Sequence, residues 1–240
     1  MSGKSPSGLA PTVARWLKRF IIGLFGLLLL YQFWLFGWVL WWTWINPDTT
    51  RFMEIRLAEL QLKDPKAELK KQWVGYGKIS NNLKRALVVS EDGQFVHHEG
   101  FDWEGIQKAI EKNQRKGRFV AGGSTISQQL AKNLFLTPAR TPWRKAQEAI
   151  VTLMIEAVWS KQRIFEVYLN VIEWGNGVFG AEAAAQHYFG ISAAQLSATQ
   201  AARLAGMVPS PRFYDRNRSA PGLGNKAAVI LGRMPSAEIP

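Results

Sequence analysis

GGSTISQQLAKNLFL, residues 122–136, is the stretch that decides how this chain folds. Ile126, Leu130 and Leu134 recur at steps of four, while Gln128 and Lys132 fall on a different face. That spacing predicts an amphipathic helix, opened by Ser124, whose apolar stripe faces a core. A helix N-terminus presents unpaired N–H groups that can hold anionic oxygens. The stretch is not a P-loop, because GxxxxGK[ST] is absent, and a Gly-Gly-Ser turn by itself is usually a plain helix cap. The unusual feature is the crowding of Ser124, Thr125, Ser127, Gln128, Gln129, Lys132 and Asn133 around one stripe. Such a face suits a polar ligand.

Upstream, Leu83, Leu87 and Val88 share one face of a helix that ends where EDGQFVHHEGFD, residues 91–102, begins. Adjacent carboxylates at that point, Glu91 and Asp92, can sit at the edge of a cleft; the plainer alternative is a solvated loop. His97, His98 and Glu99 are neighbours in sequence and such groups rarely converge on one ion, so a hydrogen-bonded structural histidine is expected and no metal site. Asp102 caps a helix running to about Arg115, and Gly117 ends it. Downstream, TPARTPWRKAQEAI, residues 137–150, supplies Arg140, Arg144, Lys145 and Glu148, with Pro142 at the first position of a helix reaching Trp159. Arg144 and Glu148 stand one turn apart, the spacing of an ordinary surface ion pair. If Arg140 and Lys132 instead point into one cleft with Glu148, they form a cationic clamp for a pyrophosphate.

Further helices are expected at about 160–170, 181–189, 192–196 and 197–207, the last two opened by the capping boxes Ser192/Gln195 and Ser197/Gln200. Lys161 is read as lying on a solvated turn. The tail from about 209 reads as loop followed by a short helix near 224–233, and residues 50–62 as a short amphipathic helix before a loop at Lys63-Asp64-Pro65. No strand alternation or internal repeat emerges, so the expected fold class is all-α.

Ahead of these helices, residues 20–45 (FIIGLFGLLLLYQFWLFGWVLWWTWI) carry no charge, and 26 residues exceed the roughly 30 Å of hydrocarbon that a helix must cross. Trp38, Trp41, Trp42 and Trp44 gather at the far end, where indoles favour headgroups, and Asn46-Pro47 breaks the helix. A cleaved signal peptide would have a shorter apolar core and a small-residue cleavage site. Residues 1–19 form a basic tail, and Arg15, Lys18 and Arg19 place it in the cytoplasm by the positive-inside rule. Residues 46–74, a juxtamembrane helix and linker, and the domain at 75–240 then face outward.

The formal charge of +12 divides into +4 before residue 20 and +8 after residue 45, where all 18 acidic residues lie. A basic domain held at a membrane points to lipid headgroups or a lipid phosphate in preference to nucleic acid. The absence of cysteine excludes disulfides, thiolate metal sites and cysteine nucleophiles.

SEDGQFVHHEGFD (90–102), GGSTISQQLAKNLFL (122–136), RKAQEAI (144–150) and IFEVYLNVIEWGNGVFGAEAAAQHYFG (164–190) together resemble the peptidoglycan glycosyltransferase family. This is the transglycosylase domain of class A penicillin-binding proteins and of their monofunctional relatives. The resemblance covers roughly residues 75–210 and implies a helical, lysozyme-like domain. It implies Glu91 as catalytic base and Glu148 as a second acidic residue of the cleft. Lys132 and Arg140 would lie near the lipid pyrophosphate, with Arg144 beside them, and Asp92, Ser124, Gln128, Gln129 and Asn133 would line the substrate groove. Phe179 stands where members often have tyrosine. The reaction implied joins lipid II to a growing glycan chain, with inversion, at the outer face of the inner membrane. No tightly bound cofactor is expected, and a Mg²⁺ accompanying the pyrophosphate would add to its stabilisation. Cell-division or elongation proteins are expected partners. A transpeptidase domain would need an SxxK nucleophile motif, and no Ser-x-x-Lys occurs in these 240 residues. Two rivals stay open: a hydrolytic enzyme that cleaves glycan strands, and a membrane scaffold without catalysis.

Overall fold

The computed structural model describes residues 9–118, 122–139 and 141–240. The chain runs through helix α1 (Leu9–Trp41), α2 (Arg51–Gln61), a short strand β1 (Lys70–Lys71), α3 (Asn81–Glu91), α4 (Trp103–Lys116), α5 (Ile126–Phe135), α6 (Pro142–Val158) and α7 (Lys161–Val171). Strands β2 (Glu173–Gly175) and β3 (Val178–Phe179) follow, then α8 (Ala181–Phe189), α9 (Ala198–Met207), α10 (Pro211–Arg216) and α11 (Pro221–Arg233).

The stripe at 126–134 builds the centre. Ile126, Leu130 and Leu134 are buried in a core shared with Leu83 and Leu87 of α3, Ile155 of α6, and Phe165 and Tyr168 of α7. Removing each such aliphatic side chain from water is worth roughly 2 kcal/mol, which is what holds the helices against α5. The helix starts one residue later than its sequence suggests. Thr125 is the N-cap and shares a reciprocal capping box with Gln128, while Ser124 lies exposed before it.

The fold is mainly helical, as expected, and carries one small sheet. A three-stranded sheet of order β1-β3-β2 pairs Lys70 with Val178 in parallel and Glu173 with Phe179 in antiparallel register. Strands of two or three residues are too short for alternation to register in sequence. The tail also departs: Pro211 takes the first position of α10, where its fixed φ favours a helix in place of the expected loop. Asp215 pins that helix, accepting from the Asn176 amide at 3.0 Å and pairing with His187 and Arg218.

Among the described residues, one helix is long and apolar enough to cross a membrane, over Val13–Trp41. It is not an isolated stalk. Leu35 and Val39 are buried, and the Trp159 indole donates to the Val39 carbonyl at 2.9 Å. Gln32 and Gln147 of α6 exchange two amide hydrogen bonds, at 2.9 and 3.0 Å. Past the helix end, the Arg163 guanidinium donates to the carbonyls of Trp42 and Ile45 and to the Asn46 side chain. A cation on the unpaired carbonyls of a helix C-terminus complements its dipole.

Candidate functional site

Ser80 caps α3, which buries Leu83, Ala86, Leu87 and Val88, and Glu91 is its last residue, where the chain leaves the core. The carboxylate accepts from Gln129 Nε2 at 2.9 Å and from the Ser90 hydroxyl at 3.3 Å. Among the described residues no cation comes within ion-pair distance of it. Burial raises its pKa above the ordinary carboxylate value, opposed by those two hydrogen bonds and more weakly by Lys226 and Lys132.

Asp92, one residue on, has the opposite surroundings. It is 6% exposed and accepts from the Ile126 amide at 2.9 Å. His98 Nε2 lies 3.0 and 3.1 Å from its two oxygens. The Gly100 amide donates to His98 Nδ1, so the ring proton sits on Nε2 and points at Asp92. Gly100 itself has φ +89, and a side chain there would collide with Thr152, so only glycine makes this turn. The Asp92 carboxylate therefore ties the 91–100 segment to the N-terminus of α5 and sets Glu91 opposite Gln129. The resemblance placed Asp92 in the substrate groove; here its carboxylate is engaged within the protein while the residue edges the hollow that holds Glu91. His98 is the structural histidine, and His97 pairs with Glu238 at 3.1 Å on the surface.

A cleft of about 640 Å³ opens beside this point. Gln129, Lys132 and Asn133 from α5 and Arg144 from α6 line one wall, and Phe52 and Arg56 from α2 with Arg212 and Arg216 from α10 line the other. Glu91 lies in an adjoining hollow of about 150 Å³ with Asp92, Ser124 and Thr125. The single groove expected from sequence is thus two hollows meeting at Gln129, which lines the larger and bonds the carboxylate of the smaller.

Lys132 has no ion-pair partner within reach among the described residues. Burial lowers its pKa; Glu148 opposes that shift, Arg144 and Lys145 add to it, and Glu91 opposes it. Glu148 is only 3% exposed, pairs with both Arg144 and Lys145, and lines neither hollow. The expected second acidic residue of the cleft instead stands behind the cations and fixes them, so the Arg144–Glu148 pair is no ordinary surface pair. Arg144 keeps a buried Nε–H without a partner among the described residues, a donor suited to an anion.

The other expected site residues divide. Asn133 lies on the cleft wall with its amide donating to the Gln129 carbonyl at 2.7 Å. Ser124 edges the smaller hollow and accepts weakly from Lys145. Gln128 is buried and its carbonyl takes the Thr125 amide, so its part is to cap α5 and not to line the groove. Arg140 lies outside the described residues. Among the described residues no three His, Cys, Asp or Glu side chains are grouped to hold a metal ion.

The sequence reading missed Arg56, Glu173, Arg212 and Arg216. Arg56 joins Glu173 at 3.2 Å and also Glu59, drawing α2 onto β2, and Arg212 reaches Glu59 from α10. The i, i+3 pair Arg56/Glu59 was visible in sequence, but nothing there shows that its helix forms a cleft wall.

The site thus sets a carboxylate without a cation, among the described residues, one amide away from the cations of the cleft wall. Residues 58–235 match the family described as Transglycosylase. The chain belongs to the transglycosylase family. It is 71% identical over 228 residues to a biosynthetic peptidoglycan transglycosylase of Dechloromonas aromatica, covering 95% of this chain and 99% of that protein. It is also 60% identical over 226 residues to a protein of the same name from Laribacter hongkongensis, covering 94% and 99%. The transglycosylase match begins within α2, two residues after Arg56.

Proposed function

We propose that this peptidoglycan glycosyltransferase of cell-wall synthesis polymerises lipid II into glycan strands, with Glu91 as general base. The 4-hydroxyl of an N-acetylglucosamine on one lipid-linked precursor attacks the anomeric carbon of the growing chain. As that C–O bond forms, the bond to the polyprenyl pyrophosphate breaks on the opposite face, with inversion. The hydroxyl proton passes to Glu91, an effect worth about 10²–10⁴ in rate. Lys132 and Arg144, with Arg140, balance the charge that builds on the leaving pyrophosphate. The observation that carries this reading is Glu91: a carboxylate with raised proton affinity, held by an amide and not by a cation, next to the cationic cleft. The donor set around Lys132 is cationic and Glu148 is taken up by Arg144 and Lys145, which does not fit a resident Mg²⁺, so no step runs through one.

The location we propose is the inner membrane, with the N-terminus in the cytoplasm and the domain outside. The three cations at residues 15, 18 and 19 and the absence of acids before residue 46 support that orientation. The Gln32–Gln147 pair lies nine residues inside Trp41, about 13 Å along the helix. Paired amides are how polar side chains persist in hydrocarbon, and Trp143, Ile150 and Leu153 leave an exposed apolar face on the same helix α6. The α6 flank therefore sits in the outer leaflet, which brings the cleft to the height of a lipid-borne pyrophosphate.

Purified full-length protein and labelled lipid II test this on a gel of glycan products. Wild type should form a polymer ladder and Glu91→Gln none, and near-normal turnover by Glu91→Gln would remove Glu91 from the base role. Glycan cleavage needs a general acid for a sugar leaving group instead of cations for a pyrophosphate. Consumption of finished cell wall instead of lipid II would establish that rival.

A further inference from the structure

We infer that Tyr168 is a positioning residue for Glu91, acting through Gln129; this rests on Glu91 being the base. Tyr168 is fully buried on α7, and its hydroxyl donates to Gln129 Oε1 at 3.0 Å. The same Gln129 donates from Nε2 to Glu91 Oε2 at 2.9 Å.

The polarity of this chain has one solution. An ionised carboxylate can only accept, so Gln129 must turn its NH₂ toward Glu91 and its carbonyl toward Tyr168. Tyr168 must then donate, and burial, with Glu91 and Asp92 adding to it, keeps its proton in place at any working pH. Without the phenol hydroxyl, the Gln129 carbonyl loses its fixed donor and the amide is free to turn over. The flipped amide would set oxygen against oxygen at the base.

The groups facing Glu91 are Ser90 and Asp92 on its own segment, Gln129 and Lys132 from α5, Tyr168 from α7 and Lys226 from α11. Removing one hydroxyl alters none of these charges. A base acts only when ionised, so activity falls as pH drops through the Glu91 pKa, and losing the Gln129 donor raises that pKa. The acid limb must move upward.

The test measures turnover of lipid II against pH for the full chain as wild type, Tyr168→Phe, Gln129→Leu and the double variant, with melting temperatures for all four. Tyr168→Phe should lower kcat about tenfold with little change in KM, the signature of a misplaced reacting group. Its acid limb should rise by about 0.5–1 pH unit. The double variant should be no slower than Gln129→Leu alone, since Tyr168 acts only through that amide. An unmoved acid limb, or losses that multiply in the double variant, overturns the inference. If Tyr168→Phe melts below the assay temperature, 3-fluorotyrosine placed at residue 168 keeps the packing and strengthens the donor. That substitution should move the limb downward, and no movement would count against the proposal. Glu91→Gln separates the two levels: if it stays active the base assignment fails, whereas if it is inactive and the limb is unmoved only the part given to Tyr168 fails.

Discussion

Glu91 and Glu148 are both carboxylates placed by helices beside the same cleft, and their surroundings are inverted. Glu148 is neutralised by Arg144 and Lys145, lies beneath the surface and reaches neither hollow. Glu91 is held by neutral donors and has its proton affinity raised by burial. A carboxylate saturated with cations makes a poor proton acceptor but a good strut. One left to amides and hydroxyls keeps its basicity. In the proposed reaction the two ends of the site therefore do different work: one receives a proton, the other aims positive charge.

The strongest way to break this contrast is at Glu91. Glu91→Gln should cost about 10²–10⁴ in turnover, the worth of a general base. The same variant should melt higher at neutral pH, because a raised folded pKa means that the ionised group opposes folding. That gain should exist above the raised pKa and fade as pH falls toward the ordinary carboxylate range, where wild type is protonated too. A melting temperature that drops at neutral pH would show that Glu91 stabilises the fold.

Next in size is Lys132→Ala, which should lower turnover about 10²–10³-fold, the typical loss of one preorganised charge at a leaving group. Glu148→Ala should act first on stability, by about 3–5 kcal/mol in a denaturant titration, since Arg144 and Lys145 are left without their counter-charge. Equal stability to wild type would remove the strut. Smaller still, Lys161→Ala should cost about 1–3 kcal/mol and leave the turnover of folded protein unchanged. The sequence placed Lys161 on a solvated turn, yet its ammonium bonds the half-buried Glu156 at 2.8 Å and lies over the Phe95 ring. The mildest effect is in the pH–rate profile of wild type. Its acid limb should lie above the ordinary glutamate value and its alkaline limb below the ordinary lysine value, because burial raises Glu91 and lowers Lys132.

Much of this was readable from residues alone, and the reason is local. The stripe Ile126/Leu130/Leu134, Pro142 at the start of α6 and the capping boxes at Ser192 and Ser197 each depend on neighbours within a turn or two. The helices they announce are present, the one at Ser192 as a short 3₁₀ turn over Ala193–Gln195. Assignments that depended on distant partners went differently. That Asp92 is tied down while Glu91 meets Gln129 is decided by His98 and the Ile126 amide, the latter 34 residues away from Asp92. Gln128 and Gln129 are adjacent and chemically identical, yet one caps a helix and the other meets Glu91 and Tyr168, because successive helix positions differ by 100°. Arg56 and Glu173 are joined across 117 residues, a separation at which no spacing rule speaks.

The grip of Arg163 on the carbonyls just past α1 has a mechanical side. With Trp159 held to Val39 and Gln147 to Gln32 further back along the same helix, the domain is fastened to α1 at three successive points. In the proposed membrane setting the mouth of the cleft would keep a constant heading relative to the plane of the lipids, and a long polymer would be fed outward along one line and not be swept round the anchor.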